Sequence, residues 1–435
     1  MHCRFRFFIF LFFSLSFLFS CKKEAEEIFP EVQFIGPASN ASYDVFDTIP
    51  ITIRVNWNQS EIALKINLQD ESSTPVVPSL VLENFKTGVE TTLYYVISNE
   101  TLSTGNYRLM AEAREGEIYT RAYRTVYVHE IERQLTHIFV VQHEAQTVQR
   151  IHRFNPAMGD QLTTVFDGDY AGSDVSSSSK QFFIAGIHWG DLTAFDTETM
   201  TINWASPIIP NPVQPYFTCL KAMGNQVFAG LWDGYTGRWS MTGQKGVSTQ
   251  ITPDTYSYLL FSTDKYLVTA ALQKSSYLVH WIEVFYLDAG GLVNATHSDI
   301  IPVIFTDPEP GNILILGNNQ RGNAYVRRFD PANGMLNFPY QPFDMPAKPI
   351  IAAEAISPGR ILLAFDSGVY MYDYQKSFTS FISVPDVRII RYEDISRTIW
   401  MIAAGKVLVY DLNGALVSEF NIGGELVNLH LMYNK

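Results

Sequence analysis

After residue 135, short turns repeatedly carry aromatic, amide, carboxylate and cationic side chains of the kinds that hold a sugar or a peptide. His143 and Glu144 fall at one turn, His188, Trp189 and Asp191 at a second, and Trp232, Asp233 and Tyr235 at a third. Gln273 and Lys274, then Asn318, Asn319 and Arg321, then Asp366 and then Lys406 mark four more. Tyr170, Tyr216 and Tyr256 precede the strands that follow and join the set. Flat apolar ring faces beside directional hydrogen-bonding groups are what carbohydrate and peptide ligands require. Solvent exposure alone also selects polar turns, in which case Trp189 and Trp232 would pack between neighbouring sheets. Two Trp residues at equivalent turns strengthen the case for a binding patch without displacing that plainer reading, and the ligand stays unnamed.

Other chemistries find little support. His143-Glu144 could open a zinc-binding helix, but position 147 is Thr and the surrounding residues alternate like a strand hairpin. Asp167-Gly168-Asp169 with Asp174 faintly matches a calcium loop, yet later ligand positions hold Ala171 and Ser178; a turn explains it better. Trp232-Asp233-Gly234 suits a hairpin without a cofactor. There is no nucleophile elbow, no phosphate-binding loop and no paired-cysteine metal site. Neither a metal nor a cofactor is expected.

The turns are spaced by a repeat. An apolar strand ends in an aromatic and then Asp or a near substitute at Phe154-Asn155, Phe195-Asp196, Trp239-Ser240, Tyr286-Leu287-Asp288, Phe329-Asp330, Tyr372-Asp373 and Tyr410-Asp411. Steps between the polar members are 41, 44, 48, 42, 43 and 38 residues. A period near that length, made only of short strands, predicts a β-propeller with one four-stranded blade per repeat. The B–C and D–A connections of such blades share one face, around the mouth of the central channel, so the candidate residues would meet there. The region resembles quinoprotein-like, YVTN-type and WD-repeat propellers in strand order and period, without their diagnostic dipeptides.

Closure can be read from the ends. His137–Val141, Gln149–Phe154 and Leu162–Phe166 supply only three strands of the first repeat, and Leu426–Met432 is left over after the seventh. The tail is therefore expected as the innermost strand of the first blade, which removes an exposed edge. Gly190, Gly234, Gly322, Gly368 and Gly405 recur at B–C hairpins, where positive φ is needed.

Residues 31–130 read as a separate sandwich. Ile51, Ile53, Val55 and Trp57 alternate with polar neighbours, as do Ile62, Leu64, Ile66 and Leu68. Leu102-Ser103-Thr104-Gly105-Asn106-Tyr107-Arg108-Leu109 resembles the penultimate strand of bacterial Ig-like domains. The fold class expected is thus all-β: an N-terminal Ig-like β-sandwich, acting as a spacer, and a seven-bladed β-propeller over 131–435.

Residues 1–20 have the form of a secretion signal: Arg4 and Arg6, then an apolar run from Phe7 to Phe19. Leu18-Phe19-Ser20-Cys21 resembles the lipobox of bacterial lipoproteins, which implies lipidation at Cys21. The charged tether that follows, within 21–30, resembles those of Bacteroidetes lipoproteins. The resemblance implies an outer-membrane lipoprotein on the cell surface or the periplasmic face, touching the membrane through its lipid alone. Loss of Arg4 and Arg6, with no acidic residue in 1–20, takes the net charge from −13 to −15, which disfavours nucleic-acid partners. Cys219 then remains the only thiol and is expected to be structural.

The primary expectation is a lipid-anchored cell-envelope binding protein that recognises a glycan, a peptide or a partner protein at the mouth of the ring. An enzyme of the glycan lyase, hydrolase or quinone-dependent class is the alternative, with His188, Tyr235, Arg321 and Asp366 as its candidate groups. A scaffold subunit of an envelope complex is the third reading.

Overall fold

The computed structural model describes residues 29–156, 161–250, 252–309, 311–337, 342, 344–374 and 377–435. The expected leader, the lipidation site Cys21 and the tether as far as residue 28 lie outside these residues. The chain divides into two compact units, one ending at Glu132 and one spanning Arg133–Lys435. Every regular element among the described residues is a β-strand.

In the first unit a three-stranded sheet is ordered Glu31–Phe34, Thr48–Asn56, Thr91–Val96. A five-stranded sheet is ordered Ala41–Asp44, Ile118–His129, Gly105–Glu115, Glu61–Gln69, Leu80–Lys86. Ala41–Asp44 runs parallel to Val126–His129, while the other pairings are antiparallel. Two-residue alternation buries Ile49, Ile51, Ile53 and Val55 completely, against Leu64, Ile66 and Leu68. Each such side chain contributes about 1.5–3 kcal/mol through the area it removes from water. The Tyr107 hydroxyl donates to the Ser103 carbonyl at 2.9 Å and fixes the corner that enters its strand.

Among the described residues, the second unit holds seven four-stranded antiparallel sheets. Their inner strands are Glu425–Tyr433, Gly172–Ser176, Phe217–Met223, Thr255–Ser262, Ile300–Glu309, Ala352–Ser357 and Val387–Glu393, for sheets one to seven. Sheet one is completed by the tail: Leu426 pairs with Gln142, Leu429 with Val140 and Met432 with His137. Each inner strand lies against the next, and the seventh against the first, in a closed, propeller-like circuit.

Apolar clusters fill the boundaries between consecutive sheets. Phe139, Phe182 and Met432 sit between sheets one and two, and Trp400, Ile402 and Leu429 between seven and one. The burial that holds ordinary boundaries together thus also holds the one where the seventh sheet meets the first.

The repeated phrase has a physical basis. Its aromatic packs inward: Phe195, Trp239, Phe329 and Tyr372 are all buried. Its polar residue caps the turn that follows: Asp196 accepts the Thr199 N–H at 2.8 Å, and Asp411 accepts the Ala415 N–H at 2.8 Å. Sheet four corrects the reading at Tyr286-Leu287-Asp288. There Phe285 is the buried aromatic, paired with Leu267, while Tyr286 is 44% exposed and stands in the place of Asp. The Gly290 N–H returns to the Tyr286 carbonyl just as Met200 N–H returns to Asp196 and Gly334 N–H to Asp330.

All five hairpin glycines named above adopt positive φ. Gly186 shows a different constraint, close approach. A Cβ there would stand 1.6 Å from the Trp189 carbonyl oxygen, so the second sheet's hairpin tip requires glycine.

Candidate functional site

The structure gathers part of the candidate set along one arc of the ring, on sheets two to four. Trp232 directly follows the strand Gln226–Leu231 and donates its N–H to the Tyr216 carbonyl at 2.9 Å. Its indole lies against the Tyr256 ring with centroids 4.6 Å apart, and the Lys274 ammonium stands 5.4 Å from the indole centroid. Tyr256 opens the inner strand of sheet four, and Lys274 is pinned by its N–H to the Asp254 carbonyl at 2.8 Å. Two adjacent sheets thus combine aromatic faces with a cation.

The connection 207–216 borders this arc. His188 Nδ1 lies 2.9 Å from the Asn211 carbonyl, and Asp191 accepts the Ile208 N–H at 3.0 Å. Trp189 follows His188, with ring centroids 5.6 Å apart, and Asp169 fixes both backbone N–H groups at about 3 Å. Asp167, Asp169 and Asp174 therefore do not converge on a calcium loop; Asp169 caps the hairpin, and Asp174 faces elsewhere. A cavity of about 280 Å³ lies beside Pro210, Tyr216, Leu231 and Asp233. Burial, reinforced by the Asp233 charge, raises the Tyr216 phenol above its ordinary pKa. Ile209 and Val213 on the connection are 86% and 87% exposed.

The other candidates occupy other positions and have structural partners. His143 Nδ1 lies 3.2 Å from Gln149 Nε2 in sheet one. Tyr235 packs against the apolar cluster between sheets two and three. The Asn318 amide both accepts from and donates to Ile350 backbone, at 2.8 and 2.9 Å. Arg321 is exposed beside Asn319, whose side chain accepts the Arg321 N–H at 3.0 Å. Asp366 pairs with Lys348 at 2.7 Å, and Lys406 with Glu419 at 2.6 Å. His188, Tyr235, Arg321 and Asp366 belong to four different sheets.

A second constellation, missed in the sequence, lines the lumen. Register with the second strand of each sheet puts Asp174, Lys221, Phe261, Thr306, Glu354, Arg391 and His430 at equivalent places in the seven inner strands. All but Thr306 border a cavity of about 570 Å³. Lys221 Nζ lies 3.2 Å from Asp174, and Arg391 lies 3.7 Å from Glu354. Arg391 also donates to the Leu429 and Ile390 carbonyls at 2.9 Å and to Asn428 Oδ1 at 3.0 Å.

These charges set one another's titration. Burial works to raise the Asp174 pKa, but Lys221, His430 and the Ala222 N–H at 2.9 Å outweigh it and hold the carboxylate well below its usual range. Burial dominates at Glu354 and raises it, against the pull of Arg391 and, across the lumen, Lys221. Burial also lowers the His430 pKa, partly opposed by Asp174. Cys219 is buried nearby, its thiol pushed up to about 12 by desolvation, which removes nucleophilic character at neutral pH.

Ser173, His430 and Asp174 have the connectivity of a nucleophile, base and orienting carboxylate: Ser173 Oγ to His430 Nε2 is 2.8 Å, and His430 Nδ1 to Asp174 is 3.5 Å. The hydroxyl is crowded, however, with Tyr170 OH at 2.8 Å and Asn428 Nδ2 at 3.3 Å around the same oxygen, and Ser173 is buried. The network joins the inner strands of sheets one and two, and it acts as a lock at ring closure.

No family model and no curated protein matches the chain. Among solved structures it is similar to the computationally designed Ika8 protein, at 15% identity over 68% of this chain and 91% of that one, with a TM-score of 0.46. BamB from Moraxella catarrhalis is 8% identical over 66% and 100%, TM-score 0.38. The dihydro-heme d1 dehydrogenase NirN, solved in complex with DHE, is 11% identical over 69% and 76%, TM-score 0.44.

Proposed function

We propose that the chain is a lipid-anchored cell-envelope binding protein, built as an Ig-like spacer followed by a seven-bladed β-propeller that recognises a glycan, a peptide or a partner protein at its rim. The observation that carries the reading is the Trp232–Tyr256 pair with Lys274, next to the exposed apolar connection 207–216. Aromatic faces, a cation and exposed aliphatic groups held on a rigid ring suit a ligand with flat apolar surfaces and hydrogen-bonding edges. For the spacer, support comes from a three-plus-five sandwich with a parallel pair between its second and last strands and the Tyr107 corner bond. Seven sheets in a closed circuit support the blade count. The anchor at Cys21 and the envelope location rest on the lipobox-like residues.

The test is equilibrium binding of the purified protein to a panel of oligosaccharides and peptides, with Trp232→Ala, Lys274→Ala and Trp189→Ala in parallel. Loss of binding with Trp232→Ala, and a smaller loss with Lys274→Ala, is expected. Binding undiminished by Trp232→Ala removes this arc from the account, and turnover of a bound ligand moves the protein to the enzyme class.

A further inference from the structure

The lumen wall differs around its circumference, independently of the rim. Sheets four and five contribute apolar groups there, among them Leu259, Phe261, Val303 and Ile304. Thr306 turns away, its hydroxyl donating to the Pro358 carbonyl at 2.8 Å. This apolar arc is bracketed by opposite charges: Lys221 on sheet three at one margin and Glu354 on sheet six at the other.

Both bracketing groups retain hydrogen-bonding capacity. Lys221 has Asp174 at 3.2 Å, which leaves two of its ammonium protons, and its side chain is 49% exposed. Glu354 receives a long contact from the Tyr392 N–H at 3.4 Å and has Arg391 at 3.7 Å. Arg391, by contrast, is committed to three oxygens of its own surroundings. A cavity of about 570 Å³ whose apolar arc lies between one cation and one anion with bonding capacity to spare fits a small molecule of the same pattern, and lies within the volume range of ordinary ligand sites.

We infer that the lumen binds a short apolar peptide with free termini, its carboxylate on Lys221, its ammonium on Glu354 and its side chains against the apolar arc. Phosphorylated and other polyanionic ligands are disfavoured, because Asp174 and Glu354 share the wall with the two cations. Charge-assisted hydrogen bonds at both ends would set orientation, and the aliphatic wall would select side-chain size.

Titration calorimetry on the purified protein with Leu-Leu, its N-acetyl derivative and its C-terminal amide tests this. Leu-Leu is expected to bind, with each capped form weaker by roughly tenfold or more, since capping forfeits one charge-assisted hydrogen bond. Lys221→Met is expected to abolish the distinction between Leu-Leu and its amide. Glu354→Gln is expected to abolish the distinction from the N-acetyl form. Failure of Leu-Leu to bind, or equal binding of the capped and free forms to the unaltered protein, overturns the inference without relying on any variant.

Discussion

Asp174→Asn tests whether the lumen charges hold the ring together. The carboxylate accepts backbone N–H groups from Ala222 at 2.9 Å and Val175 at 3.0 Å, has Lys221 at 3.2 Å, and is only 12% exposed. Asparagine keeps one acceptor oxygen but removes the charge. The two N–H groups bond different oxygens, so one bond falls from the charged to the neutral range, about 1 kcal/mol, and the other N–H loses its acceptor, about 1–3 kcal/mol. Lys221 is half exposed, so its pairing adds less than about 1 kcal/mol after solvent screening. The expected loss is about 2–5 kcal/mol at pH 7, read from urea denaturation. Trp fluorescence reports mainly on the ring, because Trp57 alone of the seven Trp residues precedes Arg133. The pH dependence has a definite sign. Because the folded-state Asp174 pKa is depressed, its contribution is complete above the unfolded value of about 4 and fades as pH falls below it. The gap between wild type and variant should therefore be constant from neutral pH down to about 5 and shrink below about 4. A variant within about 0.5 kcal/mol of wild type at pH 7, or a gap unchanged at pH 3, would refute the reasoning.

Gly186→Ala should cost more than about 3 kcal/mol in the same assay, because a rigid carbonyl occupies the space for Cβ; Gly311→Ala, with open space but φ of +81°, should cost only about 1 kcal/mol. Cys219 should resist alkylation in the folded protein and react on denaturation, as read by peptide mass mapping; labelling of the native protein would contradict its burial. Deletion of 425–435 should expose the edge of Leu135–Ala145 and give aggregation in light scattering, whereas a monomeric, fully folded product would contradict closure by the tail. His430 should take up a proton more readily when unfolded, so stability should begin to fall below about pH 6.5, and His430→Gln should flatten that limb of the stability curve.

The ring's periodicity was legible because each copy performs the same local work: an aromatic fills a sheet boundary and an Asp or Ser caps the next turn. Pairing of the tail with the first strand of the second unit was legible because an unmatched strand is costly to leave exposed. At the rim, residue type located the turns, but could not tell ligand-facing groups from braces. Asn318 and Asp191 look like ligand groups in sequence and are spent on backbone N–H and C=O groups. The lumen was hidden for another reason. Bulges at Phe217/Cys219, Ser257/Leu259, Pro302/Ile304, Val387/Ile389 and Leu426/Asn428 shift five inner strands against their partners, so equivalent side chains cannot be found by counting. A signal was present nonetheless: Asp174, Lys221 and Glu354 each place one charge inside an otherwise apolar or small-residue strand.

Rim and lumen both depend on a circuit closed by the chain's last strand, and native-state hydrogen exchange measures that closure directly. Amides of Glu425–Tyr433 that pair with Leu135–Ala145 should be as protected as those of that partner strand and open with it in one cooperative step. Rapid exchange of the tail while the remaining sheets stay protected would contradict the account.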